Sequence, residues 1–215
     1  MKKAGILGSG SAGQTLAAGF LKHGYDVMIG TRTASKLDKW KASNPLGKVG
    51  SFEETAAFGE LIVLVSKGAI AKDVLSLAGK QNLSGKTIID VTNPIDASAP
   101  PVNGVLRYFT PANSSLMEDL QAAFPEANFV KAFNSTGGPT MVNPDYNGII
   151  PTMFICGNND AAKTEVKTIL TQFGWDPEDM GKAEAAGTIE SLCILWCIPG
   201  FLNNQWSHTF KLLKK

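Results

Sequence analysis

The chain has 215 residues, with 20 Lys and Arg against 19 Asp and Glu, for a net charge of +1. That length supports one ordinary α/β domain with ample chain for a core, and excludes two full-sized domains. The balanced charge leaves no broad basic surface for nucleic acid or anionic lipid, so the expected partner is a small molecule.

Along the chain, short apolar runs alternate with amphipathic stretches, the pattern of a parallel sheet covered by helices. Strands are expected at residues 4–7, 26–29, 61–65, 87–91, 129–133 and 153–156, with a weaker one near Val49. Most are short and rich in Val, Ile or Phe, as strands buried on both faces should be. Ser51 with Glu54 and Ser115 with Glu118 have capping-box spacing, and Asn159 or Asp160 can start the next helix. Gly24 and Gly174 are placed to end two helices. Residues 94–113 carry several prolines and little periodicity, and read as a functional loop after a central strand. A last helix is expected over residues 203–213. The fold class is therefore α/β, a Rossmann-type doubly wound, mainly parallel sheet with a small helical C-terminal portion. It forms one domain, with residues 1–156 as its core and residues 157–215 adding the last helices and a short strand.

The segment Gly8-Ser9-Gly10-Ser11-Ala12-Gly13 directly follows the first strand and opens a helix, the context that the G-x-G-x-x-G dinucleotide motif requires. Gly8 permits the tight turn, Gly10 lets backbone approach a pyrophosphate, and Gly13 lets helix and strand pack closely. The helix N-terminus then faces the anion. At the end of the second strand an NAD enzyme places Asp or Glu on the ribose 2′-hydroxyl. Here the chain reads Gly30-Thr31-Arg32-Thr33-Ala34-Ser35-Lys36. Asp26 stands at the wrong end of its strand, and Asp38 falls inside the next helix. A guanidinium at Arg32 can stack on adenine and pair with a phosphate, with Thr31, Ser35 and Lys36 adding donors and charge. The residues thus favour NADP(H) over NAD(H).

Three later strands deliver polar residues to the same crevice: Val65 and Ser66, then Asn93 and Pro94, then Asn134, Ser135 and Thr136. Val65, Ser66, Asn93 and Pro94 are candidates for the nicotinamide side, Asn134 and Thr136 for the acceptor side. Each Asn can instead be a turn residue bonding its own backbone. Neither His23, near a helix end, nor His208, in the tail, is placed as a general acid, which counts against a hydroxy-acid dehydrogenase. Hydride transfer to a flavin-like ring does without such a group. Cys156, Cys193 and Cys197 make neither a disulfide framework nor a complete metal set, and read as reduced thiols of a cytoplasmic protein. The basic start Met1-Lys2-Lys3 leads into an apolar run too short for a signal peptide, and no stretch is read as a membrane span. Trp196 and Trp206 can flank a ring-shaped ligand or serve as buried anchors. Leu192, Leu195, Trp196 and Phe201 can be core or the contact of a homodimer.

Together these residues resemble the NADPH-dependent reductases of the deazaflavin coenzyme F420, and the related cytosolic oxidoreductase domain of the six-transmembrane metalloreductases. The resemblance rests on residues 8–13, 30–32, 90–94, 130–134, 154–158 and 185–196, and runs over essentially the whole chain. It implies one Rossmann domain and hydride exchange between NADP(H) and a flavin or F420-like co-substrate docked over the nicotinamide. It also implies that Thr31, Arg32 and Lys36 hold the 2′-phosphate. Deazaflavin reductases typically carry His where this chain has Asn134. Two other readings remain: a relative of the 3-hydroxyacid dehydrogenases and pyrroline-carboxylate reductases, and a non-catalytic NADPH sensor.

Overall fold

Runs such as Leu-Ile-Val-Leu and Thr-Ile-Ile-Asp have no polar face to give to water, so they form strands covered on both sides. The computed structural model describes residues 1–215. In chain order the elements are β1 (Lys3–Leu7), α1 (Ser11–Lys22), β2 (Asp26–Gly30), α2 (Asp38–Ser43), β3 (Lys48–Gly50), α3 (Phe52–Phe58) and β4 (Leu61–Leu64). There follow α4 (Ala71–Ala78), the short α5 (Lys80–Leu83), β5 (Thr87–Asp90), α6 (Leu116–Ala123) and β6 (Asn128–Lys131). The chain closes with β7 (Thr152–Gly157), α7 (Asp160–Gln172), β8 (Asp176–Asp179) and α8 (Ala186–Asn203).

All eight strands join one sheet in the order β3-β2-β1-β4-β5-β6-β7-β8. Every pairing is parallel except β6 with β7. The strand order reverses between β1 and β4, and at such a switch the loops beyond the two carboxyl ends diverge and leave a crevice. Alternate side chains feed two cores. Ile6, Val63 and Ile89 pack with Leu16 and Phe20 of α1 on one face. Leu7, Ile62, Leu64 and Ile88 pack with Val74, Leu120 and Ile189 on the other.

The helix signals act as physics requires. Ser51 and Glu54 form a complete capping box on α3, and the Asn159 side chain accepts from Ala162 N–H at the start of α7. Ser115 accepts from Glu118 N–H, but the Glu118 carboxylate turns to the Ser115 hydroxyl instead of completing the box. Gly24 and Gly174 take positive φ just past α1 and α7.

Three expectations need correction, and the loop after β5 gains detail. The strand expected to reach Phe133 stops at Lys131, because Phe133 sits at φ 59° and turns the chain out of the sheet. Residues 94–113 form an irregular hairpin: Asp96 N–H donates to Arg107 O, Phe109 N–H to Pro94 O, and Val102 and Val105 exchange both bonds. Its tip is Asn103-Gly104, both at positive φ, the combination a tight primed turn demands. Residues 204–215 are not helical, since Asn204 in left-handed conformation ends α8 and the tail runs back along β7. Finally, residues Ala183–Asn203 make a helical stretch long and apolar enough to cross a membrane by length and composition, with 39% of it buried here. In sequence Glu190 interrupts that run; in the fold its charge is met by Lys131.

Candidate functional site

The crevice at the β1/β4 switch is floored by the glycine turn. A Cβ on Gly8 would lie 2.6 Å from Val65 O, and one on Gly13 2.2 Å from Gly8 O, so both positions are closed to any side chain. Gly8 also needs its φ of 142°. Gly10 differs: a Cβ there meets nothing within 4 Å. It is the N-cap of α1 with no side chain satisfying the first-turn N–H groups, so these face open space with the positive end of the helix dipole. The turn is braced by Gln14, which donates to Ser9 O, and by Trp40, which donates to Gln14 O. The Ser9 and Thr31 hydroxyls lie 3.0 Å apart, tying the glycine turn to the end of β2.

Thr31 N–H donates to Gly50 O, fixing the segment that follows β2. Arg32, Ser35 and Lys36 are exposed, and neither cation is paired with a carboxylate. Asp26 is held by Lys48 at the opposite end of β2. The basic turn beside the crevice is thus free to meet an anion.

At the ends of β4 and β5 lies a cavity of about 290 Å³ lined by Ser66, Lys67, Gly68, Val91, Thr92 and Asn93. Asn93 is half-buried on this wall, and its amide is fixed by Asn134. The Asn93 Nδ2 donates to Asn134 O at 2.8 Å, and Asn134 Nδ2 donates to Asn93 Oδ1 at 3.1 Å. Asn134 also donates to Ile189 O of α8. With 4% of its surface exposed and Oδ1 lacking any partner, Asn134 stands one layer behind the wall. Thr136 and Ser135 are buried too, the Thr136 hydroxyl lying 2.8 Å from that of Thr140. Val65 and Pro94 complete the surroundings, Val65 against Gly8 and Gly13 and Pro94 buried behind Asn93. The structure therefore brings the glycine turn, the basic turn, Ser66 and Asn93 to one crevice, with Asn134 and Thr136 as its support.

Sequence reasoning did not single out the ion cluster behind this wall. Lys131 Nζ lies 2.7 Å from Asp90 Oδ2 and 2.8 Å from Glu190 Oε1, all three side chains being buried. It donates to Thr92 O at 2.8 Å, whereas its approach to Asp90 Oδ2 is an ionic contact out of line for a hydrogen bond. Asp90 Oδ1 accepts from Thr92 N–H and hydroxyl. Glu190 accepts from Leu116 and Met117 N–H, and its backbone carbonyl accepts from the Tyr108 hydroxyl. Burial opposes the Lys131 charge, but Asp90 and Glu190 overcome it and raise its pKa. Burial raises the Glu190 carboxyl as well, against the pull of Lys131. The available signal was one charged residue in each of three otherwise apolar elements.

The other polar candidates are absorbed structurally. His23 caps α1 and contacts Asn143. Trp196 stacks on His208 and donates to its carbonyl, rather than opening to the crevice. All three cysteines are buried and unpaired, burial pushing the Cys156 thiol up to about 12.

Residues 3–94 match the family model described as NADP oxidoreductase, coenzyme F420-dependent. A solved structure of a candidate F420-dependent NADP-reductase from Arthrobacter sp. FB24 is 32% identical, covers all of both chains and superimposes with a TM-score of 0.92. Metalloreductase STEAP3 of Rattus norvegicus is 28% identical over 204 residues; the match takes in 93% of this chain but only 39% of that protein. A reductive aminase of Aspergillus terreus, solved with NADPH and a keto ester, shares the fold at 17% identity and a TM-score of 0.66, covering 94% of this chain and 63% of that one. With a full-length relative at that identity, the chain belongs to the coenzyme F420-dependent NADP oxidoreductase family.

Proposed function

We propose that this chain exchanges hydride between NADP(H) and a flavin or deazaflavin ring. The observation that carries the reading is a row of adjacent features: an unpaired basic turn at Arg32, tied through Thr31 and Ser9 to an open helix N-terminus at Gly10, and a largely apolar cavity at Ser66 and Asn93 beside the Gly8 turn. Backbone N–H groups of residues 9–13 hold the pyrophosphate, while Thr31, Arg32, Ser35 and Lys36 hold the 2′-phosphate. Val65, Ser66, Asn93 and Pro94 seat the nicotinamide, Asn93 offering its remaining amide hydrogen and lone pair to the carboxamide. Asn134 and Thr136 shape the acceptor side from behind.

The fit is good on this chain's own terms: no side chain fills the space above Gly10, and no carboxylate neutralises Arg32. When bound, NADPH would supply a hydride, and the acceptor ring would take up that hydride with a proton from solvent. The protein's part is to align the two rings. Two copies are proposed to pair through the outer side of α8, where Leu195 and Leu202 are more than half exposed; sedimentation should then give twice the chain mass.

The test is anaerobic NADPH oxidation with FAD, FMN and coenzyme F420 offered separately, with NADH and Arg32→Ala as controls. Turnover with one ring, preferring NADPH and losing roughly tenfold or more of that preference in Arg32→Ala, supports the proposal. Tight NADPH binding without turnover on any ring would favour the cofactor sensor.

A further inference from the structure

Asp90, Lys131 and Glu190 come from β5, β6 and α8 and are sealed from solvent together. Glu190 receives Lys131 Nζ, Leu116 N–H and Met117 N–H, three donors to two oxygens. Asp90 Oδ1 accepts from Thr92 N–H and the Thr92 hydroxyl, and Asp90 Oδ2 faces the ammonium as an ionic contact. Two carboxyl groups thus share one ammonium. With both carboxyls ionised, the cluster carries one net negative charge in a dry interior, where charge acts over longer distances than in water. It also grips Thr92 from both sides, through its N–H, hydroxyl and carbonyl, and Thr92 and Asn93 are the cavity wall. Lys131 itself meets the Thr92 carbonyl, and Lys67, on the cavity lining, is exposed and screened by solvent.

We propose that this buried cluster is an electrostatic positioning device, whose net negative charge behind the Thr92–Asn93 wall favours the oxidised, cationic nicotinamide over the reduced, neutral one. The inference rests on the reading of the crevice as an NADP(H) site. Asp90, Lys131 and Glu190 act through the wall without touching cofactor. A fixed charge that binds NADP⁺ more tightly than NADPH also stabilises the positive charge that develops as hydride departs.

Dissociation constants of NADP⁺ and NADPH measured separately, for the wild type, Glu190→Gln and Asp90→Asn, test this without any hydride acceptor. Removing the net charge should raise the ratio of the NADP⁺ to the NADPH constant by roughly three- to tenfold in either variant. A role in folding or packing alone weakens both ligands equally and leaves that ratio unchanged, which would overturn the inference. Should Glu190→Gln misfold because its amide faces Leu116 N–H, Asp90→Asn reads the same ratio. A wild-type protein that binds neither nucleotide would sink the reading of the crevice itself; one that binds both, with an unmoved ratio in the variants, sinks only the charge.

Discussion

Gly8, Gly10 and Gly13 look equivalent in the motif, and the packing separates them. Gly8 and Gly13 are required by backbone contacts inside the protein, so they would be glycine with no ligand at all. Gly10 has φ −71°, which any residue adopts, and empty space where its Cβ would be. No internal reason remains for a glycine there, which is what the proposed phosphate site requires. Gly10→Ala should therefore melt within about 2 °C of the wild type, since a helix-start Ala at normal φ adds no strain and slightly restricts the unfolded chain. Its NADPH affinity should fall tenfold or more. Thermal melting and a binding titration on the same sample decide the matter; a large loss of Tm would place the role of Gly10 in folding. This much was readable from sequence, because turn, helix start and basic turn are local. The Asn93–Asn134 amide pair was not, since it joins residues 41 apart in the chain and depends on Phe133 holding a left-handed backbone that costs about 1–3 kcal/mol.

Elements, taken one at a time, were legible where a local signal fixed them. The capping pair Ser51 and Glu54 and the glycines at helix ends act within a few residues, so sequence placed those boundaries. Asp176–Asp179, with three acids and a proline, has no strand signature; it is a strand because β7 offers it an edge, where Pro is tolerated and charge is useful. Helix α8 is held by a long-range device, since Glu190 joins it to Lys131 of β6 and to the start of α6. Lys131→Met removes the only cation from two buried carboxylates, and breaking a buried pair this way costs about 3–5 kcal/mol. At roughly 2–4 °C per kcal/mol for a domain of this size, Tm should drop by about 10 °C; a drop under about 3 °C would show that the cluster has let water in. The capping box makes a different demand. The Ser51 backbone N–H, then its side chain, holds the Glu54 carboxyl below the ordinary carboxylate range. A depressed folded-state pKa gives stability that is present above the unfolded value, about 4.3, and lost as pH falls through the folded one. Glu54→Gln keeps an acceptor but cannot titrate, so its Tm should fall less steeply than the wild type below that pH. Parallel acid melting curves would deny the box any part in acid unfolding.

For the whole molecule, the open question is how an eight-stranded sheet ends safely. On the β8 side, the tail after Asn204 returns along β7: Thr152 N–H donates to Phe210 O, and Leu212 N–H donates to the Thr152 hydroxyl. Lys211 and Lys214 pair with Asp176 and Glu178 on β8. Trp196 and His208 exchange two hydrogen bonds, and the Trp206 ring fills the space that Gly200 leaves open. Two kinds of interaction thus hold the tail, and magnitudes rank them. The ion pairs are at the surface, where each contributes about 0–1 kcal/mol. Two partly buried aromatic rings with paired N–H groups contribute several times that. Replacing Lys211 and Lys214 together by Ala should then shift Tm by less than about 4 °C and leave the protein monodisperse. Deleting residues 205–215 should uncover Trp196 and free Thr152 N–H, lowering Tm by about 10 °C or more and producing species larger than a dimer as exposed edges associate. Acrylamide quenching of tryptophan, followed beside the melts, should rise in the deletion and not in the double variant. If the double variant proves as unstable as the deletion, charge rather than aromatic packing holds the strap, and the acidic composition of β8 would then be its docking code.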